Sequence, residues 1–219
     1  MTSRSHVLLL SGLLALAPTL VLGHGGEHEA EQMLELGEKL SRTAPADDAG
    51  GMTPKEEAKA REYFTDLPVV DQNGQELRFY SDVLRGRTVL IDFIFTNCED
   101  ACPIATAKLN QLRNTLGERF GEEVFFVSIS VDPDRDTPNH MKAFAAEQNA
   151  DVPGWIWLTG KPEHVNRIVK RFGQYTEDFE NHTTLMLAGN VPKKHWTKIQ
   201  PMADVSQIAL KLTSLQVDL

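Results

Sequence analysis

Apolar positions along this chain recur at two different spacings, and each change of spacing marks an element. Residues 88–95 (Thr-Val-Leu-Ile-Asp-Phe-Ile-Phe) are β-rich and nearly all apolar, as in a central strand buried on both faces. Residues 123–131, 155–158 and 183–188 read as further strands, and 196–199 as a short edge strand. Between them the spacing becomes three and four. Ile104, Ala107, Leu109, Leu112 and Leu116 predict a helix over 103–116. Thr137 and Pro138 open a second helix, as N-cap and first residue, that runs to about Gln148. A third helix covers 162–172 and stops at Gly173, and a last one covers 203–215. Upstream, 67–70, Asn73-Gly74 and 76–79 predict a β-hairpin with a type I′ turn, followed by a short helix at 81–84. Strands alternating with helices give an α/β layered domain with a largely parallel central portion and an added N-terminal β-hairpin.

The first residues change the picture of where this domain resides. Arg4 and His6 precede an apolar run over 7–23 that ends in small residues, the pattern of an export signal. It is either cleaved after Gly23 or kept as an anchor that tethers the chain to a membrane. No cysteine stands near the cleavage point, which excludes lipid attachment there. Residues 24–62 hold ten acids and five bases among Gly and Pro, and read as an acidic flexible tether in which Met33, Leu34, Leu36 and Leu40 mark one marginal helix. The expected organisation is therefore a signal peptide or uncleaved anchor at 1–23, a tether at 24–62 and one globular domain at 63–219. The location expected is the periplasm or another exported compartment. The net charge of −9 becomes −10 without residues 1–23, which carry one Arg and no acid. Such a chain disfavours nucleic acid or anionic lipid as a partner.

Chemistry concentrates at the end of the apolar strand. The only two cysteines, Cys98 and Cys102, lie four residues apart where that strand gives way to a helix. A helix N-terminus lowers thiol pKa, and partial exposure admits a metal or another thiol. Spaced i and i+4 in one helical turn, the sulfurs share a face, from which they close a disulfide or grip one soft metal ion. Outside the cytosol such a pair oxidises unless a reducing partner or a metal protects it. Glu99 and Asp100 put negative charge beside both sulfurs, which disfavours thiolates without a cation and favours them with one. Asp132, Asp134, Arg135 and Asp136 read as a salt-bridged loop shaping this site rather than as a hard-metal site. Should the chain start at His24, its terminal amine and imidazole, with His28 assisting, form a second chelate for Cu(II).

Several segments resemble the Sco (SenC) family of exported copper-handling proteins. They are 92–98 (Asp-Phe-Ile-Phe-Thr-Asn-Cys), the Cys-x3-Cys-Pro of Cys98 to Pro103, and 127–138 (Val-Ser-Ile-Ser-Val-Asp-Pro-Asp-Arg-Asp-Thr-Pro). Two more are 158–162 (Leu-Thr-Gly-Lys-Pro) and Asn181-His182-Thr183. The resemblance covers about residues 64–215 and implies a thioredoxin-like α/β fold, a central mixed sheet flanked by helices. It also implies one copper ion, Cu(I) or Cu(II), held by Cys98, Cys102 and His182. Soft thiolates suit Cu(I), and a two-sulfur, one-nitrogen set accommodates either oxidation state. Glu99 stands where the family usually has Pro, and Asn181 where it usually has Asp. The function implied is a metallochaperone that helps assemble the dinuclear copper centre of a respiratory oxidase. Its partners would be a copper-receiving oxidase subunit or another copper chaperone. The alternative is an enzyme, a thiol–disulfide reductase in which Cys98 attacks and Cys102 resolves.

Overall fold

The computed structural model describes residues 51–178 and 183–217. In chain order the first elements are α1 (Pro54–Phe64), β1 (Pro68–Asp71), β2 (Glu76–Arg78), a π-helical turn (Phe79–Leu84), β3 (Thr88–Ile94) and α2 (Ala101–Leu116). A 3-10 turn (Gly117–Arg119), β4 (Val124–Ser130), α3 (Pro138–Glu147), β5 (Trp155–Thr159) and α4 (Pro162–Arg171) follow. The chain then forms β6 (Met186–Asn190), β7 (His195–Ile199) and α5 (Val205–Ser214).

Among the described residues, seven strands make one mixed sheet in the order β2-β1-β5-β4-β3-β6-β7. β3, β4 and β5 run parallel, and every other pairing is antiparallel. All seven residues of β3 and all seven of β4 are buried, because helices cover both faces. On one face Leu90 and Ile94 pack with Leu109 and Leu112 of α2, Phe144 of α3 and Leu212 of α5. On the other, Val89 and Ile91 pack with Phe64 of α1, Phe79 and Val83 of the π-helical turn and Ile168 of α4. This is the layered α/β arrangement that the alternating pattern predicts. Trp155 and Trp157 both lie in the core, with ring centroids 5.3 Å apart.

Four boundaries differ from the sequence reading, each for a local reason. α1 occupies residues 54–64, overlapping the stretch 24–62 read as tether. Thr53 and Glu56 form a reciprocal capping box, Pro54 stands at the helix start, and Phe64 anchors the far end against Phe172 and Trp196. The hairpin turn is not type I′. Only Gly74 takes a positive φ (80°), and the Asp71 carboxylate accepts from the amides of Asn73 (2.9 Å) and Gln75 (2.8 Å). α2 starts at Ala101, two residues early, which places Cys102 inside its first turn. β6 covers 186–190 rather than 183–188. Its ladder with β3 reaches Asn190 opposite Thr88, and the Asn190 amide donates to the Thr88 hydroxyl at 3.1 Å.

Two glycines let the β4 and β5 entrances pass each other. Gly121 (φ 81°) and Gly154 (φ 90°) approach so closely that a Cβ on Gly154 would lie 2.6 Å from the Gly121 Cα. Gly154→Ala therefore meets both backbone strain and a backbone clash. It should lower unfolding free energy by about 2–4 kcal/mol in urea titration, whereas Gly74→Ala at an open turn should cost only about 1 kcal/mol.

Candidate metal centre

β3 leaves the sheet at Ile94, and six residues carry the chain to α2. The amide of Cys98 donates to the Phe95 carbonyl at 3.2 Å, closing a turn that brings Cys98 back towards the helix start. Asp100 occupies the N-cap position, but its side chain caps nothing. The amide of Cys102 donates instead to the Cys98 sulfur at 3.2 Å, so a sulfur takes up one of the free N–H groups of the helix N-terminus. Both cysteines are free thiols. Cys98 is half-buried, and Cys102 is 1% exposed. Burial first, and then the hydrogen bond with Cys98, push the Cys102 thiol well above its ordinary pKa. Without a cation, that proton stays on sulfur at neutral pH. Two soft sulfur donors at one helix terminus, one reachable and one dry, suit a soft monovalent ion that displaces the proton.

One carboxylate fixes where this loop sits. Asp136 is 2% exposed, and its Oδ1 accepts from the Thr96 amide (3.1 Å) and the Thr96 hydroxyl (2.6 Å). Its Oδ2 accepts from the Ser130 hydroxyl at 2.6 Å. The Asp136 carbonyl accepts from the Thr159 hydroxyl at 2.5 Å. The Asp132–Arg135 ion pair (2.6 Å) closes the same loop, and Thr137 caps α3 through the His140 amide at 3.3 Å. The acidic run thus ties the exits of β3, β4 and β5 together two residues before Cys98, which gives the salt-bridged-loop reading its geometry.

Asp92 was not singled out by the sequence reading. It sits on β3 on the face covered by α2, 3% exposed, and Ser128 donates to its Oδ1 at 2.6 Å. Trp155 in turn donates its indole N–H to the Ser128 hydroxyl at 2.9 Å. Among the described residues its second oxygen, Oδ2, has no hydrogen-bond partner. Burial pushes the carboxyl up to about 7 against the opposing hydrogen bond from Ser128, so Asp92 is neutral below that pH. Above it, its charge adds a minor push to the burial that keeps the Cys102 thiol protonated. The signal was present, since one Asp interrupts an otherwise apolar strand interior.

The structure brings Cys98 and Cys102 together. His182 lies outside the described residues, as do His24 and His28. Among the described residues no group of three or more His, Cys, Asp or Glu side chains is placed to hold a metal. Glu99 and Asp100 are exposed, so water screens their charge from the sulfurs. His140 is exposed and its Nδ1 lies 2.8 Å from the Arg135 carbonyl, while that of His164 lies 3.0 Å from the Pro68 carbonyl.

Two measurements check these assignments. Asp136→Ala removes both carboxylate acceptors of the clamp, leaving only the main-chain carbonyl, and should cost about 2–4 kcal/mol in urea unfolding, with Asp136→Asn losing clearly less. For Asp92 the folded-state pKa stands above the unfolded value, so the unfolded chain releases its proton first as pH rises. The burial penalty therefore grows from about pH 4 to about pH 7 and then levels off. Asp92→Asn should gain stability relative to the parent chain across that window, by on the order of 2–4 kcal/mol at pH 8. Parallel stability–pH curves for the two proteins would contradict a buried, neutral Asp92.

Comparison with known proteins bears on what this geometry belongs to. The chain is 40% identical over 90 residues to the SCO1 protein homolog of Bacillus subtilis, a match covering 41% of this chain and 45% of that protein. The chain spans about half to three-fifths of the length of the curated relatives it matches first. Among solved structures it is similar to Bradyrhizobium japonicum ScoI with copper bound, at 25% identity and a TM-score of 0.57, covering 68% of this chain and 96% of that one. It is likewise similar to BsSco, a member of the Sco family of cytochrome c oxidase assembly proteins in which a disulfide switch was identified. That match has 27% identity and a TM-score of 0.57, and covers 68% of this chain and 90% of that one. These neighbours share the thioredoxin-like architecture. The SCO1/SenC family profile matches residues 55–215, from α1 through α5, and this chain belongs to that family.

Proposed function

We propose that the protein carries one copper ion between Cys98, Cys102 and His182, and delivers it to the dinuclear copper centre of a respiratory oxidase. The observation that carries this reading is the pair of free thiols at the start of α2, with Cys98 half-buried and Cys102 sealed beneath it. A soft ion shared by the two sulfurs keeps a reachable donor through which it can pass to an acceptor. The third ligand rests on topology. β6 runs antiparallel to β3, with Leu187 opposite Ile91, so the chain enters β6 at the sheet end where β3 delivers the cysteines. That supports the histidine just upstream as the nitrogen donor. A three-ligand site also leaves a coordination position through which the ion can be handed on. The copper-bound structure of the similar ScoI supports copper as the cargo, and the family membership of BsSco supports oxidase assembly as the purpose.

The residues ahead of Pro54 fit a protein that works outside the cytosol, with 7–23 as signal or anchor and the acidic stretch after it giving the domain reach. The recipient is then an oxidase subunit or a second copper carrier facing the same compartment.

A second reading uses the same sulfurs for electrons, and their unequal burial favours it. Cys98 as thiolate would attack a disulfide of the target and form a mixed disulfide. Cys102 would then displace the target's sulfur, leaving a Cys98–Cys102 disulfide and a reduced dithiol on the target. Two electrons pass to the target, and an external dithiol would restore the protein.

Anaerobic loading with Cu(I) against a competing chelator tests the first reading. The parent chain should retain one copper. Cys102→Ser and His182→Ala should each lose more than the roughly 10–100-fold in affinity that removing an outer partner costs. Full retention of copper by His182→Ala would remove the histidine from the site. If that variant also kept full disulfide-exchange activity, the second reading would stand in place of the first.

A further inference from the structure

The sheet face away from α2 carries a groove that the sulfur chemistry does not use. Side chains alternate along strands, so Leu187 on β6 shares this face with Trp196 and Lys198 on β7. Leu187 pairs with Lys198, and Gly189 pairs with Trp196. A Cβ on Gly189 would lie 2.3 Å from the Trp196 ring, so the bare backbone allows the indole to lie flat across β6. Phe64 and Phe172 approach that indole at centroid distances of 5.1 and 6.0 Å. Together with Leu187 these rings floor a groove of about 600 Å³ between α1, the end of α4 and the β6–β7 pair. Tyr63, 56% exposed, stands beside it on α1.

The rim is cationic in an acidic chain. Lys59, Arg171, Lys194 and Lys198 line the groove, and among the described residues Glu56 is its only acid. Glu56 is bonded to Lys194. Among the described residues Lys59, Arg171 and Lys198 have no ion-pair partner, although the chain as a whole stands at −9. The volume falls within the roughly 300–1,000 Å³ of small-ligand pockets.

We propose that this groove binds a single-chain amphiphilic carboxylate. Its alkyl body lies on the Phe64, Phe172, Leu187 and Trp196 floor, and its head is taken by Lys59, Arg171 and Lys198. Charge selects this class over larger partners. A monoanion seated at the rim feels mainly the cations within about 8–10 Å, the screening length at physiological salt. An anionic membrane or an acidic protein meets the repulsion of the whole acidic chain. The groove lies across the sheet from Cys102, so it is a site separate from the sulfur pair.

Titration calorimetry of the full chain with dodecanoate, below its micelle concentration, tests this. One equivalent should bind and change Trp196 fluorescence, and a Trp196→Phe chain should lose that optical change. Dodecyltrimethylammonium, with the same tail and the opposite head, should bind at least about tenfold more weakly. The double variant Lys59→Glu/Lys198→Glu and the single variant Arg171→Glu should each weaken dodecanoate by about tenfold or more while keeping the parent's circular dichroism. Equal affinity for the two head groups, or unchanged affinity in both variants, overturns the proposal. So does sedimentation with anionic phospholipid vesicles in the absence of any binding of monomeric dodecanoate.

Discussion

The carboxylate of Asp136 is the constraint on which the sulfur site depends. A loop that leaves a central strand and starts a helix has no inherent position, because its backbone amides belong to neither ladder. Here the amide and hydroxyl of Thr96 both point to one buried oxygen, and Ser130 points to the other. The exits of β3 and β4 are thereby locked together, and Thr159 adds the exit of β5 through the Asp136 carbonyl. Cys98 follows two residues later, close enough to inherit that rigidity. Burying such a carboxylate is favourable only when its acceptor sites are filled, and here both oxygens are bonded.

With the loop fixed, the two sulfurs become different chemical objects. Cys98 stands at the protein surface and accepts an N–H from the first turn of α2. Cys102 sits over the apolar face that also buries Asp92. A neutral Asp92 and a protonated Cys102 are both consequences of one dry environment that resists charge. A bound monovalent metal relieves that resistance, since it brings its own positive charge to the place where a proton would otherwise remain.

How much of this could be read from residues alone depended on range. The apolar run of β3, the 3–4 spacing of α2 and the cysteine pair at their junction are local patterns, and the structure keeps them. The role of Asp71 was hidden because a side chain, rather than the backbone geometry of Asn73-Gly74, shapes the hairpin turn. α1 was masked by the acidic, Gly-rich composition around it, although Thr53, Pro54 and Glu56 spell out a helix start. Asp136 was visible within a suggestive run, but its partner Thr96 lies forty positions upstream. The cationic groove was illegible, because it exists only where Leu187, Trp196 and Lys198 meet residues of α1 and α4. Proximity of that kind is set by strand register and helix placement, which no short window of sequence encodes.

The ends of the sheet carry a last implication. A strand with one unpaired side is a template on which another chain can zip, and crowding makes such zipping more frequent. β2 is only three residues long and offers little length to copy. β7 is longer, but it bears Lys198, which has no ion-pair partner among the described residues, so two copies aligning there would bring like charges together. A lysine that rims the groove, Lys198, thus also guards against fibre-like self-association of the folded domain.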